Sequence, residues 1–238
     1  MRTRIYVAGV LAGVAAVLVL AFVVLQFGIS NPSPPSLGSN PHDEIPGSIL
    51  YFDNTGCVVD ALASGRSASR VYCPLAGAGY SDTVTWVDEK TFAYVVTAPL
   101  MKQPGWQWVK VDLATKRETT VTAAASPPAA PGDLQMGALT SVRGEQISFA
   151  PDGYLYRVSG GDRVRIYKLP GGNGSGAAFA TWSPDGEWFV LRYYPKNELW
   201  IIRRDGLVAG TLAANVRGGA SWIIPGTGIW PPVDPSLQ

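Results

Sequence analysis

Four sets of side chains in this sequence have types that could do chemistry. The first is a recurring carboxylate, Asp152 in Pro151-Asp152-Gly153 and Asp185 in Pro184-Asp185-Gly186. Two carboxylates across a central pocket could act on a glycosidic bond as acid and base or nucleophile. Both nevertheless read as members of equivalent turns. There Pro presets φ, Asp accepts backbone N–H groups and Gly takes φ > 0, so the ordinary reading of these six residues is structural. The second is the single histidine, His42, beside Asp43. Nucleophilic catalysis needs a histidine next to its serine or cysteine, and His42 stands in a proline-rich stretch that reads as a solvated spacer. No Gly-x-Ser-x-Gly elbow occurs.

The third set is Cys57 and Cys73, the only cysteines. In an oxidising compartment the pair most simply forms one disulfide, whose loop of roughly 15 residues contributes about 3 kcal/mol. The rival reading is two unrelated buried thiols. Two cysteines and one remote histidine do not complete a zinc site. The fourth set is Arg157, Arg163, Arg165, Arg192, Arg203 and Arg204, interleaved with Tyr and Trp. On alternating strand faces these read as solvated positions, with a weak anionic surface as the sharper alternative. No catalytic residue, metal ligand or cofactor is expected. The glycine-rich 170–176 lacks the Gly-Lys-Ser/Thr ending of a phosphate cradle and reads as a connection.

The elements that position these groups are strands. Among 238 residues there are 8 Trp, 10 Tyr, 27 Gly and 19 Pro, and the formal net charge is +1. That balance favours an all-β domain and gives no support to nucleic-acid binding, which needs a clustered basic excess. Residues 5–29 are apolar almost throughout, long enough to cross a bilayer as a helix. Arg2 and Arg4 precede them, so residues 1–4 are expected in the cytoplasm and the remainder outside. A cleaved signal peptide is the alternative; both readings export the rest of the chain. Gly9 and Gly13 form a Gly-xxx-Gly pattern that could support a weak homodimer. Residues 30–47, with five prolines from position 32 onward, read as an extended spacer. A β domain is expected over 48–226, and a tail over 227–238.

Within that domain, strand sets recur about every 40 residues, the mark of a radial β architecture. The set over 177–206 has a strand, the turn Ser183-Pro184-Asp185-Gly186, an aromatic strand, and a further strand ending at Arg204-Asp205-Gly206. This segment, and FAPDGYLYRV at 149–158, resemble the repeat of TolB-type and other WD-like β-propellers. The resemblance is good over 181–206, partial over 149–158 and degenerate at 86–96, where Val87-Asp88-Glu89-Lys90 replaces Ser-Pro-Asp-Gly. It implies a propeller-like domain in which the motif is structural and carries no catalytic residue.

About four sets are expected, at 48–75, 82–123, 135–170 and 177–214, with 220–225 returning to complete the first. TolB-type propellers have more blades than that, so a small four-bladed ring, an open fragment and a twisted sandwich all stay open. The function this predicts is a membrane-tethered extracytoplasmic binding or scaffold module for protein or envelope components. Its contacts would lie on rim loops, with Trp106 and Tyr194 as candidates. The alternative is an envelope hydrolase or carbohydrate-active protein using acidic residues in a central pocket.

Overall fold

The computed structural model describes residues 34–74, 80–96, 107–121, 140–170 and 176–228, together with Leu237. In chain order the strands are β1 (Ser48–Asp53), β2 (Val58–Leu62), β3 (Ala68–Tyr72), β4 (Tyr80–Trp86), β5 (Thr91–Val96), β6 (Gln107–Asp112) and β7 (Glu118–Val121). They continue as β8 (Gln146–Phe149), β9 (Tyr154–Ser159), β10 (Asp162–Lys168), β11 (Ala177–Trp182), β12 (Trp188–Tyr193), β13 (Glu198–Arg203), β14 (Ala209–Ala213) and β15 (Val216–Ile223). They form four antiparallel sheets, in the orders β15-β1-β2-β3, β4-β5-β6-β7, β10-β9-β8 and β11-β12-β13-β14. The C-terminal strand thus completes the N-terminal sheet, with Ser48 opposite Ile223. Joining first and last strands hides an edge that would otherwise be open to pairing.

The sheets stack face to face because their strands are apolar on both faces. In β12 and β13, Trp188, Val190, Leu199 and Ile201 point to one side and pack with Ile49, Tyr51, Val59 and Trp222 of the first sheet. The alternate residues Phe189, Leu191, Trp200 and Ile202 point the other way, onto Ile147, Leu155 and Tyr167 of the third. Period-two alternation gives each strand these two faces. The first sheet repeats the pattern: its Leu50, Phe52 and Val58 meet Val84, Trp86, Phe92 and Tyr94 of the second. The order of packing is therefore third, fourth, first, second sheet. On the far face of the second sheet, Ala93, Val95 and Trp108 pack with Leu237. Among the described residues no core cluster joins the second sheet to the third.

Strand β15 lies against both β4 and β11, so the first strands of the first, second and fourth sheets lie innermost. Ser221 Oγ on β15 accepts the Trp86 N–H at 3.0 Å, stitching two inner strands together. Four blade-like antiparallel sheets, three of them with their first strands gathered inside, are consistent with a propeller-like domain.

Two expectations are corrected. The 30–47 spacer is not free over its described part. Ser36 bridges to Thr211 in parallel, extending the fourth sheet at β14, while Leu37 and Ile45 are 1% and 3% exposed. These two apolar residues outweigh the prolines, which are tolerated here because an edge segment needs few donors. His42 belongs to the same packed strap: its backbone N–H meets the Ser64 carbonyl at 3.0 Å, and its Nδ1 lies 2.8 Å from Glu44 Oε1.

The second correction concerns the two Pro-Asp-Gly turns, which are not equivalent. Pro184-Asp185-Gly186 joins β11 to β12, the first and second strands of their sheet, whereas Pro151-Asp152-Gly153 joins β8 to β9. The true counterpart of Ser183–Glu187 is Ser141–Glu145. Gly144 and Gly186 donate to the Ser141 and Ser183 carbonyls, both at 2.9 Å, with φ of 74° and 71°. Ser141 Oγ accepts the Glu145 N–H at 3.1 Å, as Ser183 Oγ accepts the Trp188 N–H at 2.9 Å. The two turns touch, with Gly186 beside Val142 and Arg143. A serine hydroxyl and a left-handed glycine define this turn; the Pro-Asp between them is dispensable. The third sheet accordingly holds the second to fourth strands of its set, and β8 starts where β12 starts. Asp152 therefore lies at the opposite end of the sheets from Asp185.

No described helix is long and apolar enough to cross a membrane. Residues 5–29, and with them Gly9 and Gly13, lie outside the described residues.

Candidate functional site

Alternating strand direction sorts the connections to two ends of the stack. One end holds the tight turns, Ser141–Glu145, Ser183–Glu187 and Arg204-Asp205-Gly206. The other end holds the close of β1, the close of β12 and the start of β15. Between these lies an open cleft of about 410 Å³, lined by Asn54, Arg192, Asn197, Asn215, Val216 and Arg217.

Each lining residue is set by local structure. Asn54 belongs to the turn after β1. There Asp53 Oδ1 accepts the Thr55 N–H at 2.9 Å and the Cys57 N–H at 3.0 Å, while Arg70 Nε donates to Oδ2 at 2.7 Å. Burial opposes ionisation of Asp53, but the bonds from Thr55, Cys57 and Arg70 prevail and hold its carboxyl below the usual range. The Cys57–Cys73 disulfide closes across the neighbouring β2–β3 pair at the same end. Asn197 and Asn215 hold φ of 51° and 56°, the left-handed region that Asn tolerates better than most residues. Asn197 ends a 3-10 turn, Tyr194–Lys196, with Pro195 at its start.

The loops are wired to one another. The Asn197 N–H donates to the Tyr194 carbonyl at 3.1 Å, and the Val216 N–H donates to the Asn197 carbonyl at 2.8 Å. Arg192 Nη2 then donates to the Val216 carbonyl at 3.3 Å, and its guanidinium carbon sits 4.8 Å from the centre of the Tyr194 ring. Arg192 Nε is buried with no hydrogen-bond partner. Among the described residues lining the cleft none is acidic.

The predicted site residues scatter. Tyr194, 44% exposed, lies beside the cleft. Trp106 lies outside the described residues. Asp185 accepts the Glu187 N–H at 3.1 Å and the Ser183 hydroxyl at 2.6 Å, the work of a turn former. Asp152 accepts the Tyr154 N–H at 3.0 Å and the Tyr156 hydroxyl at 2.6 Å, with Arg165 at 3.4 Å. The Tyr156 hydroxyl is the chief cause of its lowered pKa. At opposite ends of the sheets, Asp152 and Asp185 form no acid–base pair.

The arginines divide as well. Arg157 and Arg204 both meet Glu145, a carboxylate only 5% exposed between the third and fourth sheets. Arg203 pairs with Asp205. Arg163 and Arg165 lie over the Tyr156 and Tyr154 rings. Arg192 alone of the six reaches the cleft. Residue type and spacing do not single out Asn54, Asn197, Asn215 or Arg217. Their one signal in the sequence is Asn in turn positions, which marks backbone geometry before it marks a ligand. Among the described residues no group of three His, Cys, Asp or Glu side chains could hold a metal ion.

Fold and cleft together define an all-β domain with a cationic, amide-rich cleft at one end of its sheets. No protein-family model matches the chain, and no curated protein sequence matches it either. Among solved structures it is similar to TolB from Acinetobacter baumannii, at 12% identity and a TM-score of 0.30, covering 77% of this chain and 68% of that one. It is similar also to a chain of a nidogen/laminin complex, at 10% identity and a TM-score of 0.25, covering 71% of this chain and 62% of that one. For a TolB from Agrobacterium tumefaciens the figures are 13%, 0.21, 71% and 70%. With TM-scores this low, the architecture rests on the strand order and sheet packing of the chain itself.

Proposed function

We propose that the chain is a membrane-tethered, extracytoplasmic binding module for a protein or envelope component, acting without catalysis through the cleft between its first and fourth sheets. The carrying observation is the cleft itself: two arginines on β12 and β15 and three asparagines on the adjoining turns, with no acid, histidine or nucleophilic hydroxyl among the described residues that line it. Recognition needs such fixed polar groups in a concave site. The apolar residues 5–29 after Arg2 and Arg4 support the tether, and the disulfide supports an oxidising compartment. The test has two parts. Protease added outside intact cells should remove the domain while sparing a membrane-bound N-terminal fragment. Cross-linking on the same cells should capture a neighbour that the Arg192→Gln variant, equally abundant, no longer captures. Identical capture by both forms would refute the cleft as the site.

A further inference from the structure

Among the described residues, two guanidinium groups and no carboxylate line the cleft. Elsewhere in the domain half-buried guanidinium groups meet carboxylates, as Arg157 and Arg204 meet Glu145. Arg192 meets a backbone carbonyl and a tyrosine ring, and among the described residues no carboxylate pairs with it. Its Nε is buried and has no hydrogen-bond partner. Arg217, on the neighbouring strand from another sheet, brings a second guanidinium to the same space. We propose that this cleft binds an acidic peptide segment of a protein partner, a carboxylate taken by Arg192 with the positive charge of Arg217 beside it. The assignment rests on the binding-module reading and names its ligand.

Three features favour a peptide over other anions. Asn54, Asn197 and Asn215 each offer an amide with donors and an acceptor, the pairing a peptide backbone requires. At about 410 Å³ the space far exceeds a lone phosphate and suits a few residues of chain. The aromatic ring beside the site, Tyr194, already has one face taken by Arg192, so that face is closed to a sugar ring. The loops are also fixed in advance through Asn197 and Val216, which lowers the ordering cost of binding.

The test is fluorescence anisotropy with the full chain in detergent micelles and a labelled hexaglutamate peptide. Hexaglutamate should bind, and hexaglutamine should bind at least tenfold more weakly. Arg192→Gln should weaken hexaglutamate at least tenfold. Asn215→Asp, which keeps a residue tolerant of φ > 0 but puts a carboxylate among the arginines, should weaken it by a similar factor. Both variants are compared at unchanged Tm. Rising salt should weaken binding, since the charges stand in an open cleft. Equal binding of hexaglutamine, or indifference to both substitutions, overturns the proposal. So does displacement of the label by inorganic phosphate or trigalacturonate at concentrations where unlabelled hexaglutamate does not displace it. If hexaglutamate fails to bind while Arg192→Gln still abolishes the cellular capture, the acidic-peptide assignment falls and the binding module stands. If capture too is unchanged, both fall.

Discussion

The backbone N–H of Val216 donates to the carbonyl of Asn197 at 2.8 Å, tying the loop after β12 to the first residue of β15. One hydrogen bond thereby joins the fourth sheet to the C-terminal strand that completes the first. It depends on Asn197 holding φ near 51°. Asn197→Ala keeps the Cβ and loses the local polar contacts by which Asn tolerates the left-handed region, so it is expected to cost a fraction of that region's penalty of about 1–2 kcal/mol. Asn197→Gly should retain the backbone and most of the stability while removing an amide from the cleft. Thermal melts of the two variants against wild type check this; equal losses would show that the side chain, not the backbone, matters for folding.

Leu37 locks the N-terminal strap to the fourth sheet. It is 1% exposed and so close to Gly210 that a Cβ added there would meet its Cδ2 at 2.4 Å. Leu37→Ala should destabilise the domain by about 2–5 kcal/mol, as large-to-small changes in a packed core do. A free spacer would give no measurable change in urea midpoint. Gly210→Ala should also destabilise, because it forces Leu37 to move.

Gly206 and Gly144 share a positive φ, 76° and 74°, but not an environment. A Cβ on Gly206 would lie 1.7 Å from the Ile166 carbonyl oxygen, whereas one on Gly144 would meet nothing within 4 Å. Backbone cannot rotate aside as a side chain can. Gly206→Ala is expected to cost more than about 4 kcal/mol, and Gly144→Ala about 1–2 kcal/mol. Comparable denaturation midpoints for the two would contradict the close approach of β10 to the β13–β14 turn.

Glu145 serves two guanidinium groups at once, those of Arg157 and Arg204. Removing it takes from both the carboxylate they share between the third and fourth sheets. Glu145→Ala should cost about 3–5 kcal/mol, the scale for breaking a buried pair from one side. Amide exchange in β9 and β13 should rise more than exchange in β5, which lies two sheets away; uniform acceleration would speak against a local role.

Two aspartates on the first sheet give opposite dependence on pH. Burial raises the pKa of Asp60, with a Ser48 hydrogen bond opposing, and Asp60 Oδ1 has no partner. Its charged form therefore costs stability at neutral pH, and that cost fades as pH falls through its raised folded value. Asp53 has a lowered pKa, so its contribution is present above its unfolded value of about 3.9 and is lost as pH falls through the folded one. Asp60→Asn should raise Tm by about 2 °C at pH 7, an effect that vanishes in acid. Asp53→Asn should lower Tm at pH 7, and the difference from wild type should shrink as pH falls through the lowered folded value of Asp53. Melting curves from pH 2.5 to 7 read both.

Strand identity is legible in the sequence because local pattern carries it. Trp188 to Leu191 and Leu199 to Ile202 are apolar at consecutive positions, as strands buried on both faces must be. The return of a C-terminal strand to the first sheet is also visible, since Trp222 heads a segment like the one around Trp182. The Cys57–Cys73 pair can be read from there being only two cysteines in a chain expected outside the cell. The two Pro-Asp-Gly turns look equivalent because identical tripeptides satisfy the same local geometry wherever a chain must reverse. Only the neighbours of Ser141 and Ser183 reveal which reversal is which. The strap looks like a free spacer for a similar reason. Leu37 and Ile45 are two apolar residues among prolines, and nothing local says that Gly65 and Gly210 leave room for one of them.

Sequence by itself therefore determined an all-β domain of repeated antiparallel sets, its tight turns and its disulfide, because hydrophobic period, glycine conformation and cysteine count act over a few residues. Tertiary structure alone decided that Asp152 and Asp185 stand at opposite ends, that Glu145 meets both Arg157 and Arg204, and that Arg192 and Arg217 share one cleft with three asparagines. Those cleft residues come from the turn after β1, the end of β12 and the start of β15, the first of them separated from the others by well over a hundred positions. Their meeting depends on which sheet packs on which, and on strand direction within each. Both are properties of long-range burial, which no short stretch of sequence expresses.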